Sequence, residues 1–185
     1  MPSDVAYATF PTALGVCAIA WRGDAVVGAW FPETALRRRV ARRFPEAVEA
    51  QPPAFVAEAI EGVVRLLAGE KVDLGEVRLD FGAAPDLHLR VYEVVRAIPP
   101  GQTLTYGEVA RAVGQPHAAQ AVGQAMGRNP CPILMPCHRV LGADGKVGGF
   151  SAPGGAATKR RLLEIEGATS VETLPLFSPP AGGGG

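Results

Sequence analysis

Apolar positions follow two different periods along this chain. Near the N-terminus they form strand-length runs, Val16-Cys17-Ala18-Ile19-Ala20-Trp21 and Ala25-Val26-Val27-Gly28-Ala29-Trp30-Phe31. Arg22-Gly23-Asp24 separates them with a glycine turn, so a β-hairpin is expected. The spacing then becomes helical. Glu33 to Phe44 predicts a helix dense in arginine (Arg37, Arg38, Arg39, Arg42, Arg43). Pro52-Pro53 opens a second helix that runs to Ala68, with Gly69 as its stop. Glu76 to Phe81 alternates and predicts a further strand, and Gly82-Ala83-Ala84-Pro85 reads as a hinge. From Leu87 the positions Leu89, Val91, Tyr92, Val94, Val95 and Ile98 make a helical face, ended by Pro99-Pro100-Gly101.

Thr105-Tyr106-Gly107-Glu108 fits a capping box: the threonine hydroxyl accepts from the Glu108 backbone while the glutamate reaches back. That helix ends at Gly114. Pro116 suits the first turn of the next, over His117 to Gly127, and the pair forms a helix-turn-helix pattern. The second helix is small-sided (Ala118, Ala119, Ala121, Gly123, Ala125, Gly127), which suits tight packing or close backbone approach to a ligand. Gly142 to Gly149 is a glycine-rich loop. A last helix is expected from Ala156 to Glu166, with Lys159, Arg160 and Arg161 facing solvent. Thr169 to Gly185 has the composition of a disordered tail. The expected organisation is therefore α+β: a scaffold domain over 1–84, a helical domain over 85–168 and a tail over 169–185.

Composition narrows the class. A chain of 185 residues with 48% hydrophobic content has ample core. No apolar run approaches the ~18–20 residues of a membrane span, and the first residues lack the features of a signal peptide. Three widely spaced cysteines argue against a disulfide framework and for a reducing compartment. A cytoplasmic protein away from membranes is the expectation. Formal charge is zero; residues 91–185 hold eight Lys/Arg and six Asp/Glu, residues 1–90 ten and twelve. So weak an asymmetry means that any nucleic-acid partner is held by local geometry, with salt-sensitive affinity.

The candidate chemistry is Pro136-Cys137-His138-Arg139-Val140, inside an apolar run. A thiol beside an imidazole can become a thiolate nucleophile, and Cys137 is expected to be ionised by its neighbours. Glu166 is a candidate to hold the other imidazole nitrogen of His138. Zinc competes, through Cys131, Cys137 and His138, but Cys17 and His88 lie far off with no paired spacing to complete a four-ligand set. A zinc nucleobase deaminase needs H-x-E and P-C-x-x-C, and neither occurs. A cysteine protease stays open, although the flanking residues match no local protease signature. A helix-turn-helix regulator also stays open, but leaves the Cys-His pair without a purpose.

Asn129-Pro130-Cys131-Pro132-Ile133-Leu134-Met135-Pro136-Cys137-His138-Arg139-Val140 resembles the active-site signature of the O6-alkylguanine-DNA alkyltransferases, the methylated-DNA–protein-cysteine methyltransferase family. Leu104 to Ala110 resembles that family's first helix-turn-helix element, Ala121-Val122-Gly123 its recognition helix, Gly148-Gly149-Phe150-Ser151 its substrate loop and Lys159 to Gly167 its closing helix. The specific similarity covers roughly residues 90–167. It implies a ribonuclease-H-like N-terminal sheet domain and a C-terminal winged helix-turn-helix. It also implies direct-reversal repair: O6-alkylguanine, or less well O4-alkylthymine, is flipped from double-stranded DNA and its alkyl group moves irreversibly to the protein's own cysteine.

The roles the resemblance implies are these. Cys137 accepts the alkyl group; His138 takes its proton through a water; Glu166 orients His138; Asn129 braces the turn that presents Cys137. Tyr106 donates to guanine N3, Met126 lines the alkyl pocket, and the backbone around Ser151 meets O6. The carbonyls of Cys137 and Val140 accept from the exocyclic amine, and Phe150 and Lys159 complete the substrate site. Ala119, Gln120, Ala121, Gly123 and Arg128 face DNA, and Arg139 is structural or phosphate-facing. No cofactor or metal is expected, and the protein is expected to be a monomer. Two departures stand out: Gln120 replaces an arginine that fills the gap left by the extruded base, and Phe150 stands where some relatives carry tyrosine. A lesion-sensing alkyltransferase-like protein, which binds alkylated guanine and recruits other repair, is the alternative; such relatives lack the acceptor cysteine.

Overall fold

The computed structural model describes residues 4–148 and 150–168. The expected disordered tail, 169–185, lies outside the described residues. Three strands, β1 (Val5–Thr12), β2 (Gly15–Arg22) and β3 (Ala25–Trp30), form an antiparallel meander, and the two-residue β4 (Val48–Glu49) joins β1 in parallel. The strand order is β3-β2-β1-β4, a mixed sheet of the N-terminal half. The hairpin of β2 and β3 falls where the apolar runs place it. Sequence patterning misses β1 because its alternation is carried largely by alanine, threonine and a proline, residues with little apolar bulk. It misses β4 because a two-residue exposed strand is defined by its pairing alone.

The strand expected at Glu76 to Phe81 does not form. Only a single parallel bridge, Val26 with Leu79, is made there. The carbonyls of Gly75 and Val77 are instead taken by the Arg96 guanidinium, at 2.7 and 2.5 Å, so a side chain replaces a ladder. Helix α1 (Leu36–Arg43) starts three residues later than Glu33; its buried face is Leu36 and Val40, one turn apart. Helix α2 (Ala54–Leu67) begins after Pro53 and lays Val56, Val63 and Leu66 on the sheet.

The remaining helices are α3 (Asp86–Arg96), α4 (Tyr106–Ala112), α5 (Ala119–Gly127) and α6 (Ala156–Ile165). The first of these spans the helical face read after Leu87. Helix α5 starts at Ala119 rather than His117, because the chain from Gln115 to Ala118 closes a turn (Ala118 N–H donates to Gln115 O, 2.9 Å) and Pro116 sits in that turn. A short parallel pair, β5 (Leu104–Thr105) and β6 (Val140–Leu141), flanks the helix-turn-helix. Among the described residues no helix is long and apolar enough to cross a membrane.

Two cores result. One joins the sheet and α2 to Cys131, Ile133, Leu134 and Leu162 from the C-terminal half. The other packs α3, α4 and α5 around Val91, Tyr92, Val109 and Val122, and includes Met135, Cys137 and Val140. Residues 131–140 thus belong to both cores, which places Cys137 at a seam.

Helix α4 carries the capping box read from sequence: Glu108 N–H donates to Thr105 Oγ1 (3.1 Å) and Thr105 N–H to Glu108 Oε2 (2.7 Å). Removing the hydroxyl leaves a helix N–H unpaired, which costs about 1 kcal/mol. Thr105→Ala should lower the melting temperature by about 2–4 °C in a chain of this size, read by thermal unfolding. An unchanged melting temperature would mean that the cap is redundant.

Candidate active site

The segment that presents Cys137 is fixed by its own backbone and by Asn129. Asn129 Nδ2 donates to Met135 O (2.8 Å), and its Oδ1 accepts from Cys131 N (2.9 Å). Met135 N–H donates to Cys131 O at 2.8 Å. Within this loop Ile133 adopts φ 75°, a left-handed conformation that a β-branched residue rarely takes. Burial of its side chain in the first core holds it there. Pro130 O accepts from Ala29 N–H of β3 (3.0 Å), so the N-terminal sheet is hydrogen-bonded directly to the loop.

A single 3-10 turn, Cys137–Arg139, follows. At three residues per turn, successive side chains diverge by about 120°. Cys137, His138 and Arg139 therefore leave the turn in different directions, and all three are buried. This divergence is why sequence neighbours can take separate tasks.

His138 and Arg139 converge on Glu166, the C-cap of α6. His138 Nε2 lies 2.7 Å from Glu166 Oε1; Arg139 donates through Nε to Oε2 (3.0 Å) and through Nη2 to Oε1 (2.8 Å). Arg139 Nη1 also donates to Ile98 O at the end of α3 (2.6 Å). Burial alone would raise the Glu166 carboxyl, but His138 and Arg139 outweigh it and hold it at about 2. The carboxylate is therefore ionised and can only accept. That fixes the histidine tautomer: Nε2 carries the proton, and Nδ1 keeps its lone pair. Nδ1 is buried with no hydrogen-bond partner among the described residues. Burial also lowers the affinity of His138 for a second proton, so the ring is neutral. Gly101 supports the arrangement from behind. It has φ 83°, and a Cβ there would stand 2.8 Å from Glu166 O.

The expectation that Cys137 is ionised at rest is corrected by its surroundings. Burial pushes the thiol up from its ordinary value; the Asn129 hydrogen bond, the Lys159 charge and nearby backbone amides pull it down but do not win. A neutral thiol and a neutral imidazole are the resting state. Lys159 is not solvent-facing either. It is 1% exposed, donates from Nζ to Val140 O (2.6 Å), and lies 5.7 and 5.9 Å from the ring centres of Tyr106 and Phe150. The reason is helical phase: Lys159, Leu162, Leu163 and Glu166 lie at i, i+3, i+4 and i+7 and share the inward face of α6. Arg160 and Arg161 do face solvent.

A cavity of about 220 Å³ is lined by Tyr106, Met126, Cys137, Phe150, Ser151 and Lys159. It brings together most of the expected substrate residues; Val140 is not among its walls, and its carbonyl accepts from Nζ of Lys159, which is. Of the expected DNA-facing residues on and after α5, Gln120 and Arg128 are exposed, and Ala119, Ala121 and Gly123 are half-buried. Val122, Ala125 and Met126 turn inward. Sequence reasoning gave Arg139 and Gly101 no part in this site. The adjacency of Arg139 to Cys-His was a usable signal; the packing of Gly101 on Glu166 was not visible in one dimension.

Fold and site together define a class: a helix-turn-helix protein whose buried cysteine is followed in the same turn by a buried imidazole–carboxylate pair. Residues 86–168 match the family described as 6-O-methylguanine DNA methyltransferase, DNA binding domain. The methylated-DNA–protein-cysteine methyltransferase of Methanothermobacter thermautotrophicus is 43% identical over 120 residues, 64% of this chain and 65% of that protein. Its counterpart in Mycobacterium tuberculosis is 42% identical over 125 residues, 68% of this chain and 73% of that protein. A DNA base-flipping protein of Thermus thermophilus is 38% identical over 133 residues, 72% and 87% of the two chains. The crystal structure of Mycobacterium tuberculosis O6-methylguanine methyltransferase superposes with a TM-score of 0.73 at 35% identity, covering 90% of this chain and 94% of that one. The Mycobacterium tuberculosis protein in complex with DNA gives a TM-score of 0.68 at 32% identity over 90% and 96%. The chain belongs to the methylated-DNA–protein-cysteine methyltransferase family.

The depressed Glu166 carboxyl has a pH signature. Its folded value, about 2, lies below the ordinary 4.5. The stability it contributes is present above the ordinary value and is lost as pH falls through that window. Urea unfolding of the parent should show this loss. Glu166→Gln, which leaves Arg139 partly unpaired, should be less stable by about 3–5 kcal/mol at neutral pH and should lose far less across the same window. Parallel acid profiles would contradict an ionised buried Glu166.

Proposed function

We propose that this chain repairs O6-alkylguanine in double-stranded DNA by moving the alkyl group to Cys137 in one turnover. The observation that carries the reading is the unpartnered Nδ1 of a neutral His138, anchored by ionised Glu166, with Cys137 at the wall of a base-sized cavity. A duplex hides O6 from a buried sulfur, so the nucleotide is extruded, at a cost on the order of a few kcal/mol. Helix α5 is the surface that meets the DNA, through Gln120, Arg128 and the small residues Ala119, Ala121 and Gly123.

The Cys137 proton passes through a bridging water to His138 Nδ1, and Glu166 stabilises the imidazolium that forms. Asn129 and the Lys159 ammonium stabilise the thiolate. The sulfur attacks the alkyl carbon, the C–O6 bond breaks, and the electron pair stays on O6. Tyr106, protonated because burial raises its phenol, donates to N3 so that the base leaves in neutral form. The Ser151 backbone meets O6, Met126 borders the alkyl group, and the carbonyls of Cys137 and Val140 accept from the exocyclic amine. The thioether is stable, which ends the cycle. O4-alkylthymine is a poorer substrate, and a reducing cytoplasm keeps the acceptor thiol free.

The similarity to a DNA base-flipping protein favours one rival, a lesion sensor that binds without transfer. The presence of Cys137 argues for transfer. Gln120, shorter and uncharged, cannot stack or supply charge as an arginine does in the gap left by the base, so extrusion is the weakened step. Single-turnover assays on a duplex bearing O6-methylguanine test both points. Cys137→Ser should abolish methyl removal and keep lesion affinity; Gln120→Arg should raise the repair rate about tenfold, equivalent to ~1.4 kcal/mol. Methyl removal by the serine variant would overturn the repair reading, and an unchanged rate with arginine would overturn the role of Gln120.

A further inference from the structure

Cys137 borders two cavities, not one. The first is the space of about 220 Å³ described above. The second and larger, of about 460 Å³, shares Gly127, Cys137, Phe150 and Ser151 with it and runs out between the end of α5 and α1. Gly127 and Asn129, on either side of the exposed Arg128, line it from α5; Arg39, Arg42 and Arg43 line it from α1. The three arginines stand at i, i+3 and i+4 and so share one face of α1. The same lining holds one carboxylate, Glu33, 3.6 Å from Arg39, which it offsets. Arg42 and Arg43 are exposed and make no ion pair among the described residues, with Glu46 or with any other carboxylate. The Arg43 guanidinium lies 5.3 Å from the Phe44 ring centre, a contact that orients it without neutralising it. Three arginines against one carboxylate leave two uncompensated positive charges on α1, across an opening from the end of α5.

Helix α5 offers a duplex little charge. Of the residues assigned above to its DNA side only Arg128 is cationic; Gln120 is neutral, and Ala119, Ala121 and Gly123 have no polar side chain. Extrusion of a nucleotide pulls its sugar–phosphate strand toward the protein. The strand then passes the edge that both cavities share at Gly127 and Ser151. It thereby brings phosphates to an opening whose other side is the arginine face of α1. We infer that the Arg42–Arg43 face of α1 is a second DNA-contact surface, which takes backbone phosphates of the strand that carries the lesion. The inference rests on the repair reading for where the duplex lies, and adds to it a surface from the N-terminal half. The partner is the polyanion and not the base. The contact neutralises phosphates, carries no sequence information and is the same whatever O6 bears. Guanidinium groups suit the task because they meet phosphate oxygens through two parallel N–H donors. The pair also supplies charge that Gln120 does not.

The test measures binding of an undamaged duplex and an O6-methylguanine duplex by fluorescence anisotropy over a salt series. Single-turnover methyl transfer at saturating duplex is read beside it by intact-protein mass. In Arg42→Gln/Arg43→Gln the slope of log affinity against log salt should be shallower by about 1.8, two phosphates at about 0.9 each. The parent should then lose about tenfold more affinity than the variant between about 50 and 200 mM salt. The change should be equal on the two duplexes, and transfer at saturation should keep the parent's rate. Arg42→Lys/Arg43→Lys, which retains the charge, should retain the parent's slope. An unchanged slope in the glutamine variant would overturn the inference and leave α1 a solvated face. A loss confined to the lesion duplex, or slower transfer at saturation, would also overturn it, by assigning the arginines to the substrate site. A lysine variant as shallow as the glutamine one would overturn it too, since charge would not be the cause. Absence of transfer by the parent would overturn the repair reading, while the slopes judge the contact surface separately.

Discussion

The structure depends on one buried anion. Glu166 receives three hydrogen bonds on two oxygens, from His138 and Arg139, and is only 5% exposed. A carboxylate in that position would be prohibitive alone. Arg139 balances its charge, and the same guanidinium ties α6 to the end of α3 through Ile98 O. Because the anion is fixed, the orientation and tautomer of His138 are fixed, and the free lone pair on Nδ1 is assigned without seeing a hydrogen. Removing either partner of such a pair exposes an unpaired buried charge, so structural and chemical roles cannot be separated at Glu166.

The placement of Cys137 at a seam between two cores follows from the same economy. Residues 131–134 fill the core under the sheet, and Met135, Cys137 and Val140 fill the core of the helices. The strained Ile133 is the point where the chain passes from one to the other. The N-terminal sheet thus supports the acceptor loop directly, through Ala29 and Pro130, and contributes the arginine face of the larger cavity. Burial favours the neutral thiol at Cys137 over an exposed, oxidisable thiolate.

Much of this was legible in one dimension where local chemistry decides. Thr105 and Glu108 announce a cap because both partners lie within four residues. Cys137-His138 announces a nucleophile because few other tasks need that pair. The hairpin of β2 and β3 follows from its apolar runs and glycine turn. What stayed hidden depends on distant partners. The carbonyls of Gly75 and Val77 were claimed by Arg96, which cancelled an otherwise reasonable strand. Lys159 reads as a surface charge until its phase with Leu162, Leu163 and Glu166 is counted. The ionisation state of Cys137 could not be read at all, since desolvation by surrounding helices outweighs the charges its neighbours supply.

The central claim is that the Cys137 sulfur itself receives and keeps the alkyl group. Tandem mass spectrometry of the parent, digested after incubation with a molar excess of duplex bearing O6-methylguanine, measures this directly. The account predicts a methyl thioether on Cys137, none on Cys17 or Cys131, and lesion loss that stops at one equivalent per protein chain. Lesion loss beyond one equivalent, or an unmodified Cys137 in protein that has cleared its lesion, would contradict it.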